Sequence, residues 1–171
     1  MTDHCDACGF TYDLSRADNA AGGIISEADE LAKVLETGGA NLTRRPSPDT
    51  WSPLEYACHV RDVLLVQRER ALLARRQDRP SLVPMGRDER VEHDGYNEQS
   101  PITVGRQLRD AATLFAGVLA RLDDAGWHRT LIYNFPAPSE RDLRWLAVHT
   151  QHEVHHHLTD VRSQIADSEE T

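Results

Sequence analysis

The sequence predicts an all-α protein: a four-helix bundle with a long crossover between helices 2 and 3 and a short N-terminal CxxC knuckle. Four stretches of roughly 19 to 25 residues carry apolar side chains at helical spacing, and turn-rich segments separate them. At 171 residues the chain fits one domain with a substantial core. Five of its nine histidines fall between His149 and His157, inside the last stretch. Bundles assemble metal sites from side chains on facing helices, so this clustering agrees with the architecture.

Cys5-Asp-Ala-Cys8-Gly-Phe10 has the form of one zinc-ribbon knuckle, with Gly9 permitting a tight turn after the second thiol. A closed structural zinc needs four ligands, and the chain has no second Cys-x-x-Cys, so His4, Cys58, His149 or His155 would complete a second metal site at Cys5 and Cys8. Redox chemistry is the competing use, but no βαβ pattern follows the motif. The first helix is expected from about Asp18 to Thr37, with Ile24, Ala28, Leu31 and Leu35 on one side and Gly38-Gly39 as its stop. The second has a sharp start. Ser52 is a good N-cap, Pro53 suits the first helical position, and Glu55 stands three residues after the serine as in a capping box. It continues to about Arg76. Residues 77–103 show no sustained period and form the crossover, and loops of this length are usually functional or ordered by local structure. A third helix spans about Val104 to Leu122, Thr130 to Phe135 reads as a short hairpin arm, and the fourth helix runs from about Arg141 to Ile165, capped by Ser139 or Asp142. The expected divisions are a knuckle over 1–17, the bundle over 18–165 and an acidic tail over 166–171.

Composition narrows the function. Lys+Arg number 19 against 28 Asp+Glu, a net charge of −9, and the arginines are scattered among acids, which argues against nucleic acid as a partner. No apolar run approaches the ~18 residues of a membrane span and no targeting segment opens the chain, so a cytoplasmic protein with no membrane partner is expected. Lys33 is the only lysine, a skew that indicates a GC-rich genome.

On a helical wheel with His152 at zero and ~100° per residue, His149 falls at about 60°, His156 at about 40° and His157 at about 140°. His149, His152 and His156 thus share a face, with His157 pointing elsewhere. His152 and His156, four apart, can offer two imidazoles to one ion, and His59 of the second helix is the candidate third ligand. Three neutral imidazoles suit zinc, nickel or ferrous iron with a position left open. Cys58 is about 100° away from His59 on its helix and reads as a small buried hydrophobe. His152-Glu-Val-His-His156 also satisfies the zinc-protease pattern with Glu153 as base, but too little chain follows it to supply a third ligand and substrate-binding elements. The Leu and Val residues of this helix, Leu146, Val154, Leu158 and Val161 among them, form a second stripe, roughly opposite His152, which points to a homodimer contact.

Trp51-Ser-Pro-Leu-Glu-Tyr-Ala-Cys-His59 together with His152-Glu-Val-His-His156 resembles the DinB/YfiT-like superfamily of metal-binding four-helix bundles, from about Asp18 to Gln164. The resemblance implies that His59, His152 and His156 are the metal ligands. It also implies a metal-dependent transferase that activates a low-molecular-weight thiol, of the mycothiol kind, for attack on a small electrophile. A bound thiol ionises to the nucleophilic thiolate at neutral pH, and Glu153, Tyr96 or Glu98 would orient substrate or relay the proton. Two alternatives stay open: a metal-dependent hydrolase or isomerase of a small molecule, and a non-catalytic metal-binding protein.

Overall fold

The computed structural model describes residues 4–169. Four long helices make the bundle: α1 (Ala20–Thr37), α2 (Pro53–Arg76), α4 (Pro101–Leu119) and α6 (Leu143–Glu169). Two short helices, α3 (Arg87–His93) and α5 (Asp124–Trp127), and an antiparallel ribbon of β1 (Thr130–Tyr133) and β2 (Ser139–Asp142) occupy the connections. α1 packs along α4 and α6, and α2 packs along the same two, whereas α1 and α2 barely meet. α1 therefore lies across the bundle from α2, and α4 lies across it from α6. Ile24, Leu31, Leu64, Leu108, Phe115 and Leu146 are among the side chains fully buried between them. α1 and α6 approach closely at Gly23, where a Cβ would lie 2.1 Å from Gln151 Nε2.

The capping box at the start of α2 is complete. Ser52 Oγ accepts from the Glu55 amide at 3.2 Å, and the Glu55 carboxylate accepts from the Ser52 amide at 2.8 Å. Arg45 then grips both oxygens of Glu55, at 2.8 and 2.5 Å. The crossover is not structureless: α3 and a 3-10 turn over Tyr96–Glu98 order its second half, and residues 80–82 hydrogen-bond to Ile132 of β1. Tyr96 Oη donates to Asp62 of α2 at 2.7 Å, Ser52 Oγ donates to Asn97 Oδ1 at 2.7 Å, and Arg61 donates to Gln99 Oε1 at 2.7 Å. The crossover thereby clamps the first half of α2, the part that carries His59.

Several boundaries differ from expectation for local reasons. The third long helix begins at Pro101 because Ser100 caps it and proline occupies its first position. The last begins at Leu143 because Ser139–Asp142 pair with β1, in the register Thr130↔Asp142 to Tyr133↔Ser139. Asp142, not Ser139, is its cap, accepting from the Trp145 amide at 2.8 Å. α6 continues to Glu169, so the tail expected from 166 is helical that far; Glu170 and Thr171 lie outside the described residues, as do the first three residues of the expected knuckle segment. The stripe that includes Leu146, Val154, Leu158 and Val161 is buried by the chain's own elements, so it offers no face to a second subunit. Among the described residues no helix is long and apolar enough to cross a membrane.

Candidate metal centre

The histidine-rich part of α6 contains two i,i+4 pairs offset by one residue: His152 with His156, and Glu153 with His157. A shift of one residue rotates a helix by ~100°, so the two pairs face different neighbours. Glu153 and His157 turn towards α2, where they meet His59; one ligand atom from each of the three lies within 4.8 Å of the others. His152 and His156 turn towards the N-terminal segment, where they meet Cys5 and Cys8 within the same limit. The structure thus brings His152 and His156 together as their spacing predicts, but groups them with the cysteines, and His59 with Glu153 and His157.

The wheel contained a signal for this arrangement. With His152 at zero, Leu146, Val161 and Val154 fall at about 120°, 180° and 200°, so the buried face is opposite His152. Glu153, at about 100°, lies at the edge of that face and His157, at about 140°, lies within it, so the pair looks inward while Glu153 still meets solvent.

His59 is 4% exposed, and its Nδ1 is buried without a hydrogen-bond partner. The Trp51 ring covers it at 5.2 Å, and the Tyr56 ring stacks on His157 at 5.0 Å. His157 Nδ1 is held by Asp160 Oδ2 at 3.0 Å, which leaves Nε2 facing Glu153 at 4.0 Å. A carboxylate on the far nitrogen fixes the tautomer and orientation of a ligating imidazole. The orphaned nitrogen, the two imidazoles and the carboxylate fit a three-ligand divalent site, since His2Glu is an established catalytic zinc set. Glu153 lies among histidines. Burial raises its pKa, but His149, His157, His59 and His152 together hold the carboxyl below its usual range.

Burial lowers the pKa of His59 to about 4, with the His157 charge adding to the effect, and burial likewise brings His152 to about 4. Both imidazoles are therefore neutral, with a lone pair available, at neutral pH. Proton uptake sets the sign for stability. Below the ordinary value of 6.5 the unfolded chain takes up protons that the folded chain refuses, so stability falls as pH drops from about 6.5 towards about 4. Urea midpoints of metal-free protein should decline over that window, and His59→Phe should flatten the decline. A midpoint unchanged between pH 7 and pH 4.5 would contradict the burial of neutral histidines.

The other candidates fall elsewhere. Tyr96 is fully buried and its hydroxyl is committed to Asp62, and Glu98 is exposed on the adjoining turn, so neither joins the histidines. Cys58 is fully buried, and burial pushes its thiol up to about 12. His149 stacks on Trp145 at 4.4 Å and reaches Glu153 at 4.0 Å, a neighbour that the helical face of His152 had pointed to. His155 is engaged at both nitrogens, by Glu27 at 2.7 Å and the Cys8 carbonyl at 3.2 Å, which removes it as a ligand. Tyr12 was not singled out by the sequence at all; its hydroxyl lies 2.9 Å from His149 Nδ1 and 2.8 Å from His152 Nδ1. No local pattern links it to residues some 140 positions away. A cleft of about 430 Å³ on the crossover side of α2, between Leu65, Leu73, Leu82 and Arg70, contains none of the clustered histidines.

No curated protein matches the sequence. Among solved structures the chain is similar to YfiT from Bacillus subtilis, described as a probable metal-dependent hydrolase with an unusual four-helix bundle topology. The TM-score is 0.68 at 16% identity, over 85% of this chain and 87% of that one, a likeness of fold. The sequence pattern of the DinB superfamily matches residues 26–161, a span that includes α2, the crossover and most of α6. The chain belongs to the DinB superfamily.

Proposed function

We propose that the protein is a metal-dependent enzyme whose site is His59, Glu153 and His157, and that it transfers a low-molecular-weight thiol to a small electrophile. The observation that carries this reading is the three-ligand cluster itself, His59 deeply buried and the Glu153 side chain 26% exposed, so that the cluster is anchored inside and reachable from outside. Bound there, a divalent zinc, nickel or iron ion would supply the Lewis acidity that keeps a thiol ionised at neutral pH. The chain's own residues do the rest. Asp160 orients His157, burial keeps His59 neutral, and the rings of Trp51 and Tyr56 exclude water from the inner side. Glu153 stays ionised and His149 beside it can hold or pass a proton. The fold shared with YfiT favours a second reading, hydrolysis of a small molecule, in which water replaces the thiol.

One experiment separates them. Protein reconstituted with each metal is given a cysteine-based thiol and a halogenated aromatic electrophile, and separately a panel of esters and amides in ¹⁸O-labelled water. Thioether formation that stops with chelator is expected. Thiol-independent products carrying solvent oxygen would select the hydrolase, and absence of metal uptake at this site would remove both readings.

A further inference from the structure

We infer that Cys5, Cys8, His152 and His156 hold a structural zinc ion that clips the N-terminal knuckle to α6, separately from the site at His59. One ligand atom from each of the four lies within 4.8 Å of the others. A zinc tetrahedron, with bonds of about 2.3 Å to sulfur and about 2.0 Å to nitrogen, spaces its ligand atoms about 3.3–3.8 Å apart. Cys5 Sγ and His156 Nδ1 already stand at 3.6 Å.

The backbone is shaped for the ion. The Cys5 amide donates to the Phe10 carbonyl and the Gly9 amide to the Cys5 carbonyl, both at 2.8 Å, and His4 bridges to Thr11. Gly9 takes φ +74°, in the left-handed region that favours glycine, and so turns the chain directly after the second thiol. The knuckle is also docked by contacts that need no metal: His155 meets the Cys8 carbonyl at 3.2 Å, and the Phe10 ring lies against His152 and His155 at 5.3 and 5.6 Å. The thiols are therefore delivered to α6 and are not free in solution.

The outer partners select the ligating nitrogens. His152 Nδ1 is taken by the Tyr12 hydroxyl, and its Nε2 is buried with no hydrogen-bond partner, the nitrogen left for an ion. His156 turns Nδ1 to Cys5, with Asp160 Oδ2 at 3.7 Å from its Nε2. Ligating imidazoles characteristically present their second nitrogen to such groups. Four protein ligands close the coordination sphere, which marks a structural ion and not a catalytic one. On binding, the two thiols lose their protons to solvent and the ion takes four lone pairs.

The clip reaches towards the other site by two routes. Once Nε2 of His152 is given to zinc, its Nδ1 carries the proton and donates to the Tyr12 oxygen. The Tyr12 hydroxyl then donates to His149 Nδ1, and His149 turns its Nε2 to Glu153, 4.0 Å away. Asp160 is shared, facing His156 on one side and His157 on the other. The N-terminal segment is thus a positioning element whose placement is fixed by its own metal.

Cobalt(II) alone is the probe, added to protein stripped with chelator under reducing conditions. Wild type should bind two equivalents, with the intense near-ultraviolet absorption of cobalt–thiolate charge transfer. The Cys5→Ser/Cys8→Ser variant should bind one equivalent without that absorption, and His59→Ala one equivalent with it. Should the double variant fail to fold, wild type gives the reading by itself: zinc should protect Cys5 and Cys8 from a thiol reagent, and chelator should expose them and open the N-terminal segment to protease. Wild-type cobalt protein lacking thiolate absorption, or thiols equally reactive with and without zinc, overturns the clip. If His59→Ala still binds two equivalents while the thiolate band persists, the His59 site fails and the clip stands.

Discussion

His157→Ala is expected to lower kcat/KM of the proposed metal-dependent reaction by at least about 100-fold, since loss of an outer-shell partner alone costs roughly 10–100-fold and the proposed site makes His157 a direct ligand. It should also remove one bound metal equivalent. His59→Ala should match it in both respects, whereas His152→Ala should release the other ion and leave the metal at His59 in place. This contrast arises from the one-residue offset between the two pairs on α6, because Glu153 and His157 face α2 while His152 and His156 face the cysteines. His59→Ala should leave metal-free stability nearly unchanged, because the cavity it opens is offset by removal of a buried imidazole whose Nδ1 has no partner. Metal analysis, steady-state kinetics and urea unfolding on the three variants give the answer. Retention of full activity by His157→Ala, with its loss in His152→Ala, would reverse the assignment.

Asp62→Ala is expected to cost about 3 kcal/mol of stability, the low end of the range for deleting one partner of a buried charged network. Asp62 is 5% exposed and accepts from Arg61 at 2.8 Å, Arg90 at 3.0 Å and Tyr96 at 2.7 Å. Its removal strands the fully buried Tyr96 hydroxyl, while Arg61 keeps Gln99 and Gln107 as partners, which limits the loss. Burial opposes ionisation of Asp62, but hydrogen bonds from Arg61, Tyr96 and Arg90 outweigh it and hold the carboxyl below its ordinary value. The variant should unfold at lower urea, and its crossover should exchange amide hydrogens faster, because Tyr96 and Arg90 tie that segment to α2. A change below about 0.5 kcal/mol, the range of an ordinary surface substitution, would mean the network contributes little.

Local chemistry explains which features were readable. The start of α2 was legible to the residue because a capping box is a four-residue pattern whose parts satisfy one another. The start of α6 was not, because Ser139 to Asp142 are claimed by β1, a partner that helical periodicity cannot register. The block from Tyr96 to Gln99 carries Tyr96 and Glu98, which read as groups that orient substrate or relay a proton. It proves to be a clamp, since its polar groups spend their hydrogen bonds on Ser52, Arg61 and Asp62.

The sequence by itself determined that four amphipathic helices would build a bundle, that metal-ligating residue types would sit on the second helix at His59 and in a cluster on the last, and that a Cys-x-x-Cys turn would precede them. Those properties reside in spacing and in residue type. Only the tertiary structure decided that Glu153 and His157, not His152 and His156, face His59, and that Cys5 and Cys8 lie beside the remaining pair. Spacing alone does not rank two i,i+4 pairs one residue apart, and although the apolar side of the wheel leans towards Glu153 and His157, it does not say which helix lies against them. The choice between them is made by burial of the face bearing Leu146, Val154 and Val161, which rotates one pair inward to α2 and leaves the other to a segment from the far end of the chain.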